Sequence, residues 1–323
     1  MRVFVAGAAG AIGRRLIPEL VRRGHHVTAS TRSPDKLALL RELGAAPVVV
    51  DGLDGSAVGE AVARAEPDAI LHQMTSLAGG ADLRHFDGWF ARTNELRTRG
   101  TAHLLAAARA AGVRRFVAQS YTGWNNTRVG GPVKTEDDPL DPEPARAQRE
   151  TMAAIQYLER TVCGAPLQGL VLRYGNLYGP GSSAELAALV RKRRMPIVGE
   201  GGGVWSWIHL DDVASATATA LERGLTGVYN VTDEEPAPVA TWLPYLADVL
   251  GAKAPLHLPR WVARLAAGEV VVRWMTEGRG ASSAKLRAAT DWRPKWPSWR
   301  DGFRFALGID EKVAAPFARQ VVA

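Results

Sequence analysis

The chain has 323 residues, of which 46% are hydrophobic, so it is long enough for roughly two domains with large apolar cores. Its one cysteine, Cys163, excludes a disulfide within the chain and a paired-cysteine zinc site. The net charge of +7 indicates a solvated basic surface or a field that attracts phosphorylated cofactors and substrates. Nucleic acid is less favoured, because the densest basic run, 191–194, has no interleaved aromatic residues. The sequence has no uncharged apolar run of about 18 residues, so we expect no membrane span.

Short apolar runs alternate with segments of helical periodicity through the first half of the chain. The predicted strands are 2–6, 26–31, 47–50, 69–72, 115–119 and 168–173. The predicted helices start near Ile12 and continue at about 34–43, 56–65, 88–112 and 144–163. This alternation predicts an α/β fold in which a doubly wound parallel sheet carries helices on both faces.

Glycines and prolines break the alternation after residue 175. We therefore predict one domain over 1–175 and a smaller one over 176–305, with 205–231 returning to the sheet of the first domain. The last segment, 306–323, is predicted to be a tail.

A glycine-rich turn, G-x-x-G-x-x-G, lies directly between the first strand and the first helix. Its first glycine permits a tight turn, its second lets the backbone approach a pyrophosphate, and its third lets the helix pack close to the strand. Free amides at the start of the helix would bind the phosphates. The pattern predicts a dinucleotide cofactor held by Gly7, Ala9, Gly10, Ala11, Ile12 and Gly13.

The second predicted strand ends in Ser30, Thr31 and Arg32, where an NAD-binding protein would carry an acidic residue for the ribose 2′-hydroxyl. Arg32 can pair with a 2′-phosphate and Thr31 can add a hydroxyl hydrogen bond. The sequence therefore predicts NADP rather than NAD. Asp51, which precedes Gly52 after the third strand, either accepts from the adenine amino group or caps the next helix.

Further motifs match one family pattern, at 24–27, 115–120, 173–180, 207–214, 227–231 and 299–302. With the glycine turn, they resemble the extended short-chain dehydrogenases/reductases of the NAD-dependent epimerase/dehydratase group, over about 1–305. The resemblance implies a Rossmann sheet in the order 3-2-1-4-5-6-7 with a C-terminal substrate cap. It also implies adenine contacts at Asp51 and Gly52, pyrophosphate and ribose contacts at His72, Gln73 and Met74, nicotinamide contacts at Ser120 and Tyr174, and a substrate contact at Asn176.

The chain departs from that family at its catalytic pair. Typical members carry a tyrosine and a lysine spaced Y-x-x-x-K, in which the tyrosine transfers the proton and the lysine lowers its pKa. Gln148 and Met152 stand at these positions. Tyr121 stands where the usual catalytic serine would be, so we hypothesise that Tyr121 transfers the proton while Ser120 holds the substrate oxygen. The alternative is that Tyr121 packs without titrating.

One residue in this sequence is a candidate to replace the missing lysine. Lys134 lies in the loop after the fifth strand and either reaches the substrate or is a surface charge.

These observations favour an NADP-dependent oxidoreductase that transfers hydride to or from a small-molecule carbonyl or related carbon. Two alternatives stay open, a nucleotide-sugar epimerase or dehydratase that retains its cofactor and a non-catalytic NADP-binding sensor. We expect a small-molecule substrate, no metal, no nucleic-acid partner and no membrane partner. A cytoplasmic location is expected from the single cysteine, and a homodimer is one possible assembly.

Overall fold

The computed structural model describes residues 1–77 and 82–306, and within them fifteen strands and thirteen α-helices are found. The strands are β1 (Arg2–Ala6), β2 (His26–Thr31), β3 (Ala46–Val49), β4 (Ala69–His72), β5 (Arg115–Tyr121), β6 (Val133–Lys134), β7 (Gln168–Tyr174), β8 (Asn176–Tyr178), β9 (Ile197–Val198), β10 (Val204–Trp205), β11 (Trp207–His209), β12 (Gly227–Val231), β13 (Ala237–Pro238), β14 (His257–Leu258) and β15 (Gly280–Ala281). The helices are α1 (Gly13–Arg22), α2 (Leu37–Glu42), α3 (Gly55–Ala65), α4 (Phe86–Glu95), α5 (Thr101–Ala110), α6 (Arg149–Cys163), α7 (Ala184–Arg191), α8 (Leu210–Arg223), α9 (Val239–Val249), α10 (Arg260–Ala267), α11 (Glu269–Glu277), α12 (Ala284–Thr290) and α13 (Trp299–Ala306).

Seven strands form one parallel sheet in the order β3-β2-β1-β4-β5-β7-β12. Val3 of the central strand pairs with Val27 on one side and with Ala69 on the other. The order confirms the predicted 3-2-1-4-5-6-7, with β7 and β12 as the sixth and seventh strands. All seven strands end at the same edge, where parallel sheets of this kind bind their ligands.

Each face of the sheet is covered by helices that bury an apolar stripe. On one face, α1 and α8 pack on the sheet through a core that includes Leu16, Leu172 and Val213. On the other face, α3, α5 and α6 enclose a core that includes Phe116 and Leu158. Both faces being buried explains why the strands read as nearly continuous apolar runs.

The single helix predicted over 88–112 is divided in the structure. A wide π-helical turn, Leu96–Gly100, separates α4 from α5. His72 at the end of β4 contacts the Leu96 carbonyl oxygen at 3.2 Å, and the Thr101 hydroxyl donates to the Arg97 carbonyl at 2.6 Å. Side chains that bond to helix carbonyls in this way favour a local widening of the helix.

The C-terminal part has its own apolar core, and tryptophans dominate it. Trp205, Trp207 and Trp242 are buried in this core, whereas Trp261 is 69% exposed on α10. The boundaries 1–175 and 176–305 stay predictions, and most of the predicted tail, 307–323, lies outside the described residues. In the described parts of the chain, no helix is both long and apolar enough to cross a membrane.

Candidate active site

The glycine turn has the geometry that its spacing predicts. Gly7 has φ +81°, and a Cβ there would lie 2.6 Å from the Gln73 carbonyl oxygen. A Cβ at Gly13 would overlap the carbonyl oxygen of Ala8, so α1 could not pack so close to β1 with any other residue. A Cβ at Gly10 would meet only the Gly7 oxygen, at 3.4 Å, so this glycine faces open space.

The start of α1 offers unpaired backbone donors to that open space. Within the described residues, the amides of Ala11, Ile12 and Gly13 have no hydrogen-bond acceptor. The first turn of α1 contains no acidic residue that would repel a phosphate. A helix start with free amides and a partial positive charge fits a pyrophosphate.

A cavity of about 180 Å³ opens beside this turn at the carboxyl edge of the sheet. The predicted cofactor residues that line it are Gly7, Ala9, Gly10, Thr31, Arg32, Asp51, Gly52, Gln73 and Met74. Arg92 and Leu96 line the same cavity and were missed, because only the tertiary fold brings helix α4 to it. Larger depressions around Asp68 and Arg114 lie at the amino ends of the strands, opposite the glycine turn.

At the end of the cavity beside β2 and β3, where the family resemblance implies adenine contacts, the charge pattern is basic. Asp51 accepts from Arg92 at 2.8 Å and from the Leu53 amide at 3.0 Å, so its carboxylate is engaged by the protein itself. Arg32 is exposed and has no ion-pair partner in the part of the chain that the structure describes. Its guanidinium is therefore available to a ligand.

The end of β4 contributes one unsatisfied buried acceptor. The Gln73 side chain contacts the Tyr174 hydroxyl at 3.3 Å through Nε2, while its Oε1 is buried and has no partner. Burial raises the pKa of Tyr174 to about 12, and this phenol exchanges a 2.8 Å hydrogen bond with Thr217. A buried orphan acceptor beside free amides fits a polar cofactor, which would supply hydride when bound.

The two predicted catalytic residues at the end of β5 have different partners. The Ser120 hydroxyl donates to Glu159 at 2.7 Å, and Glu159 also forms a buried ion pair with Arg173 at 2.6 Å. The Tyr121 hydroxyl donates to Asn176 Oδ1 at 2.9 Å. Burial raises the pKa of Tyr121 far above its usual range, so the phenol stays neutral.

Neither of the two positions where the family resemblance places the tyrosine and lysine carries a side chain that can transfer a proton. Gln148 precedes α6 and Met152 lies in its first turn, and both side chains are buried. The Lys134 ammonium is also buried and donates to the Val129 carbonyl and to Asp138 at 3.3 Å. Lys134 is therefore neither a surface charge nor a free cation, and its substrate role stays a prediction.

Aromatic side chains from α4 and from the loop after β5 pack together beside Tyr121. Trp124 stacks on Tyr121 with ring centres 5.7 Å apart, and Phe90 lies 6.4 Å from Trp124. We call this group the aromatic wall, and it consists of Phe86, Trp89, Phe90, Tyr121 and Trp124. The spacing of Phe86, Trp89 and Phe90 on one helix face is a sequence signal for this group, and it was missed.

With this geometry in place, the comparisons with known proteins define the class. The chain matches the NAD dependent epimerase/dehydratase family over residues 3–232, and it belongs to that family. It is 44% identical over 311 residues to a 3-diazoavenalumate denitrifying reductase from Streptomyces sp., covering 94% of this chain and 99% of the relative. It is 31% identical to a 4-hydroxy-2-methyl-3-oxo-4-farnesyl-3,4-dihydroquinoline-1-oxide ketoreductase from Stigmatella aurantiaca, covering 88% and 85%.

Solved structures agree with this assignment. The UDP-glucose 4-epimerase of Thermus thermophilus in complex with NAD has a TM-score of 0.72 and is 28% identical, covering 95% of this chain and 98% of that one. A human epimerase family protein with NADPH has a TM-score of 0.71 at 22% identity, covering 95% and 99%, and shows the shared fold. The chain is therefore an NAD(P)-dependent oxidoreductase of the extended short-chain dehydrogenase/reductase type.

Proposed function

We propose that this protein is an NADPH-dependent reductase whose substrate is an aromatic diazo compound. The feature that carries the proposal is the expected catalytic pair: Gln148 and Met152 stand where the family resemblance places the tyrosine and lysine that protonate an alkoxide. The 44% identical relative is named for the denitrifying reduction of a diazo compound. The aromatic wall beside Tyr121 suits a planar aromatic substrate.

Diazo chemistry explains why a proton donor is dispensable. The overall reaction, Ar–N₂⁺ + NADPH → Ar–H + N₂ + NADP⁺, balances in atoms and charge without a proton from the protein. Carbonyl reduction differs, because each hydride delivered to carbon leaves an oxygen anion that must be protonated. The chain's own contribution is to orient the substrate and to exclude water.

The experiment uses an aryl diazonium salt as the probe, with NADPH and the purified protein. We expect enzyme-dependent loss of the reduced-nicotinamide absorbance, with one N₂ released for each NADPH oxidised. A reaction without protein measures the spontaneous background. If the protein reduces ketones but does not accelerate the diazonium reaction, the proposal is contradicted.

NADP is the proposed cofactor form. Exposed Arg32 and the absence of an acidic residue at the end of β2 support it. We expect NADPH to bind more tightly than NADH. Arg32→Ala should weaken NADPH binding about tenfold and leave NADH binding unchanged, because only the 2′-phosphate meets this guanidinium. Calorimetry with both cofactors measures the difference, and equal losses for both would contradict it.

A ketoreductase is the second candidate function. Its support is the hydrogen bond from Tyr121 to Asn176, which places a phenol beside the residue expected to meet substrate. The 31% identical relative is named a ketoreductase. In that case Tyr121 would transfer the proton, with Ser120 held by Glu159 beside it.

The cellular setting and assembly are also proposals. The single cysteine supports a cytoplasmic enzyme. A homodimer is supported by Trp261 and Leu265, which lie one turn apart on α10 and are each 69% exposed. Sedimentation at several protein concentrations tests the dimer, and a monomer at all of them would refute it.

A further inference from the structure

Arg97 is a buried cation that has no hydrogen-bond or ion-pair partner among the described residues. It lies in the π-helical turn between α4 and α5 and is 7% exposed. Its Nη1 group is fully enclosed and has no hydrogen-bond acceptor, and Arg97 has no ion pair within the described residues. An unpaired buried guanidinium destabilises a fold strongly, so Arg97 calls for an anionic partner that lies outside the described residues.

The charges around Arg97 do not cancel. Burial lowers the pKa of Arg97 to about 10, and the attraction of Glu159 offsets only part of that effect. Both oxygens of Glu159 are taken by Arg173, at 2.8 and 2.6 Å. Arg97, Arg173 and Glu159 together therefore carry one net positive charge. His72 does not compensate either, since the Arg97 charge helps to lower its pKa to about 4.

The guanidinium lies at one end of the aromatic wall. Its central carbon is 5.4 Å from the centre of the Phe90 ring. Phe90 is next to Trp124, which stacks on Tyr121 at the carboxyl end of β5. Trp124 and Tyr121 are both partly exposed, so a ligand can reach the Trp124–Tyr121 end of the wall, which Phe90 connects to Arg97.

We propose that Arg97 binds the carboxylate of a planar aromatic substrate that lies on the aromatic wall. This inference rests on the proposed function for the aromatic substrate, and it adds an acidic group to that substrate. A carboxylate would compensate the buried charge and pair with the guanidinium in a bidentate geometry. Neither Gln148 nor Met152 can supply a cation, and the ammonium of Lys134 is occupied within its own loop.

The test measures binding rather than turnover. The NADP⁺-loaded protein is titrated with 4-hydroxycinnamate and with its uncharged carboxamide, in a calorimeter. We expect the acid to bind at least tenfold more tightly than the amide. Arg97→Met should weaken binding of the acid by about 10- to 100-fold and leave binding of the amide unchanged. Arg97→Lys should keep part of the affinity for the acid.

Two further measurements distinguish a carboxylate-binding role of Arg97 from a purely structural one. Arg99→Met, which removes an exposed arginine two residues along the same turn, should change neither affinity. Without ligand, Arg97→Met should melt at a higher temperature than the wild type, because an apolar side chain of similar size replaces an unpaired buried charge.

Three results would overturn the proposal that Arg97 binds the carboxylate. They are no binding of the acid, equal affinities of the wild type for acid and amide, and equal losses of affinity for both ligands in Arg97→Met. Failure of the diazonium reaction would leave this binding equilibrium untouched, so the two proposals fail separately.

Discussion

At the scale of single residues, burial keeps His72 and Tyr121 of this site neutral. His72 is 1% exposed, and its pKa is lowered to about 4 by burial, with Arg97 adding to the effect. Tyr121 is kept protonated by the same cause. The chemistry of the site therefore depends on hydrogen bonding and orientation more than on groups that titrate near neutral pH.

Substituting Tyr121 by phenylalanine separates the two candidate functions. The variant keeps the ring that stacks on Trp124 and loses the hydroxyl that donates to Asn176. For a diazonium probe we expect kcat/KM within about threefold of wild type, because that reaction needs no proton donor. For a ketone we expect a fall of about 10²-fold or more if Tyr121 transfers the proton. Steady-state kinetics on both probes give the answer, and a large loss on the diazonium would contradict the diazo mechanism.

His72 predicts a specific dependence of stability on pH. Its folded pKa, about 4, lies below the usual 6.5, so the unfolded chain binds the proton more readily. The stability that neutral His72 confers is complete above pH 6.5 and is lost as the pH falls toward 4, by about 3 kcal/mol. Urea unfolding of wild type and His72→Gln from about pH 7 to pH 4 should show the wild type losing more. Parallel curves would contradict this account.

At the scale of elements, the turn between β1 and α1 shows how neighbouring glycines serve different purposes. Gly13 is required by the packing of α1 on β1, whereas Gly10 borders open space. Gly7 adopts a positive φ that strains other residues. The fold therefore requires glycine at 7 and 13, whereas at 10 it leaves room for a side chain, and we expect that glycine to serve cofactor binding.

Two alanine variants separate these purposes. Gly13→Ala places a methyl group on the Ala8 carbonyl, so we expect a loss of about 1–3 kcal/mol or more in the free energy of unfolding. Gly10→Ala has room for its methyl group and should melt close to wild type, while NADPH binding weakens at least tenfold. Thermal unfolding and calorimetry measure the two effects. Gly10→Ala with normal affinity would rule out a close approach of the pyrophosphate at this residue.

At the scale of the whole molecule, the sheet is completed by residues far along the chain. Strand β12 pairs with β7, from Gly227 with Leu170 to Val231 with Tyr174. Helix α8 packs beside α1 and buries Leu210, Val213 and Leu221. The sheet therefore depends on 205–231, which follows the predicted boundary at 175.

This dependence predicts that residues 1–175 do not fold alone. Without α8, one face of the sheet exposes apolar residues such as Leu172, and β7 becomes an open edge. We expect this fragment to aggregate or to unfold without a cooperative transition, whereas the full chain melts cooperatively. Circular dichroism melting compares the two. A sharp transition in the fragment would show that the first domain is autonomous.

The parts of the site that could be predicted are those with a local signal. The glycine turn, Arg32 and Tyr121 follow from their positions at the ends of predicted strands, because parallel strands bring their carboxyl ends to one edge. The pairing of Asp51 with Arg92 joins residues 41 positions apart, and the Ser120–Glu159 contact joins residues 39 apart. Neither contact has a sequence pattern, because each depends on where α4 and α6 lie against the sheet.

The sequence by itself determined the alternation of strands and helices and the glycine turn, because both are encoded in residue spacing along the chain. The order of the sheet followed from the resemblance to the family, which the motifs carry. Only the tertiary structure decided which charges remain unpaired. It pairs Arg173 with Glu159, and it leaves Arg97 buried with no ion-pair partner among the described residues. The reason is physical: compensation of a buried charge depends on distances of a few ångströms between distant segments, and no linear pattern records them.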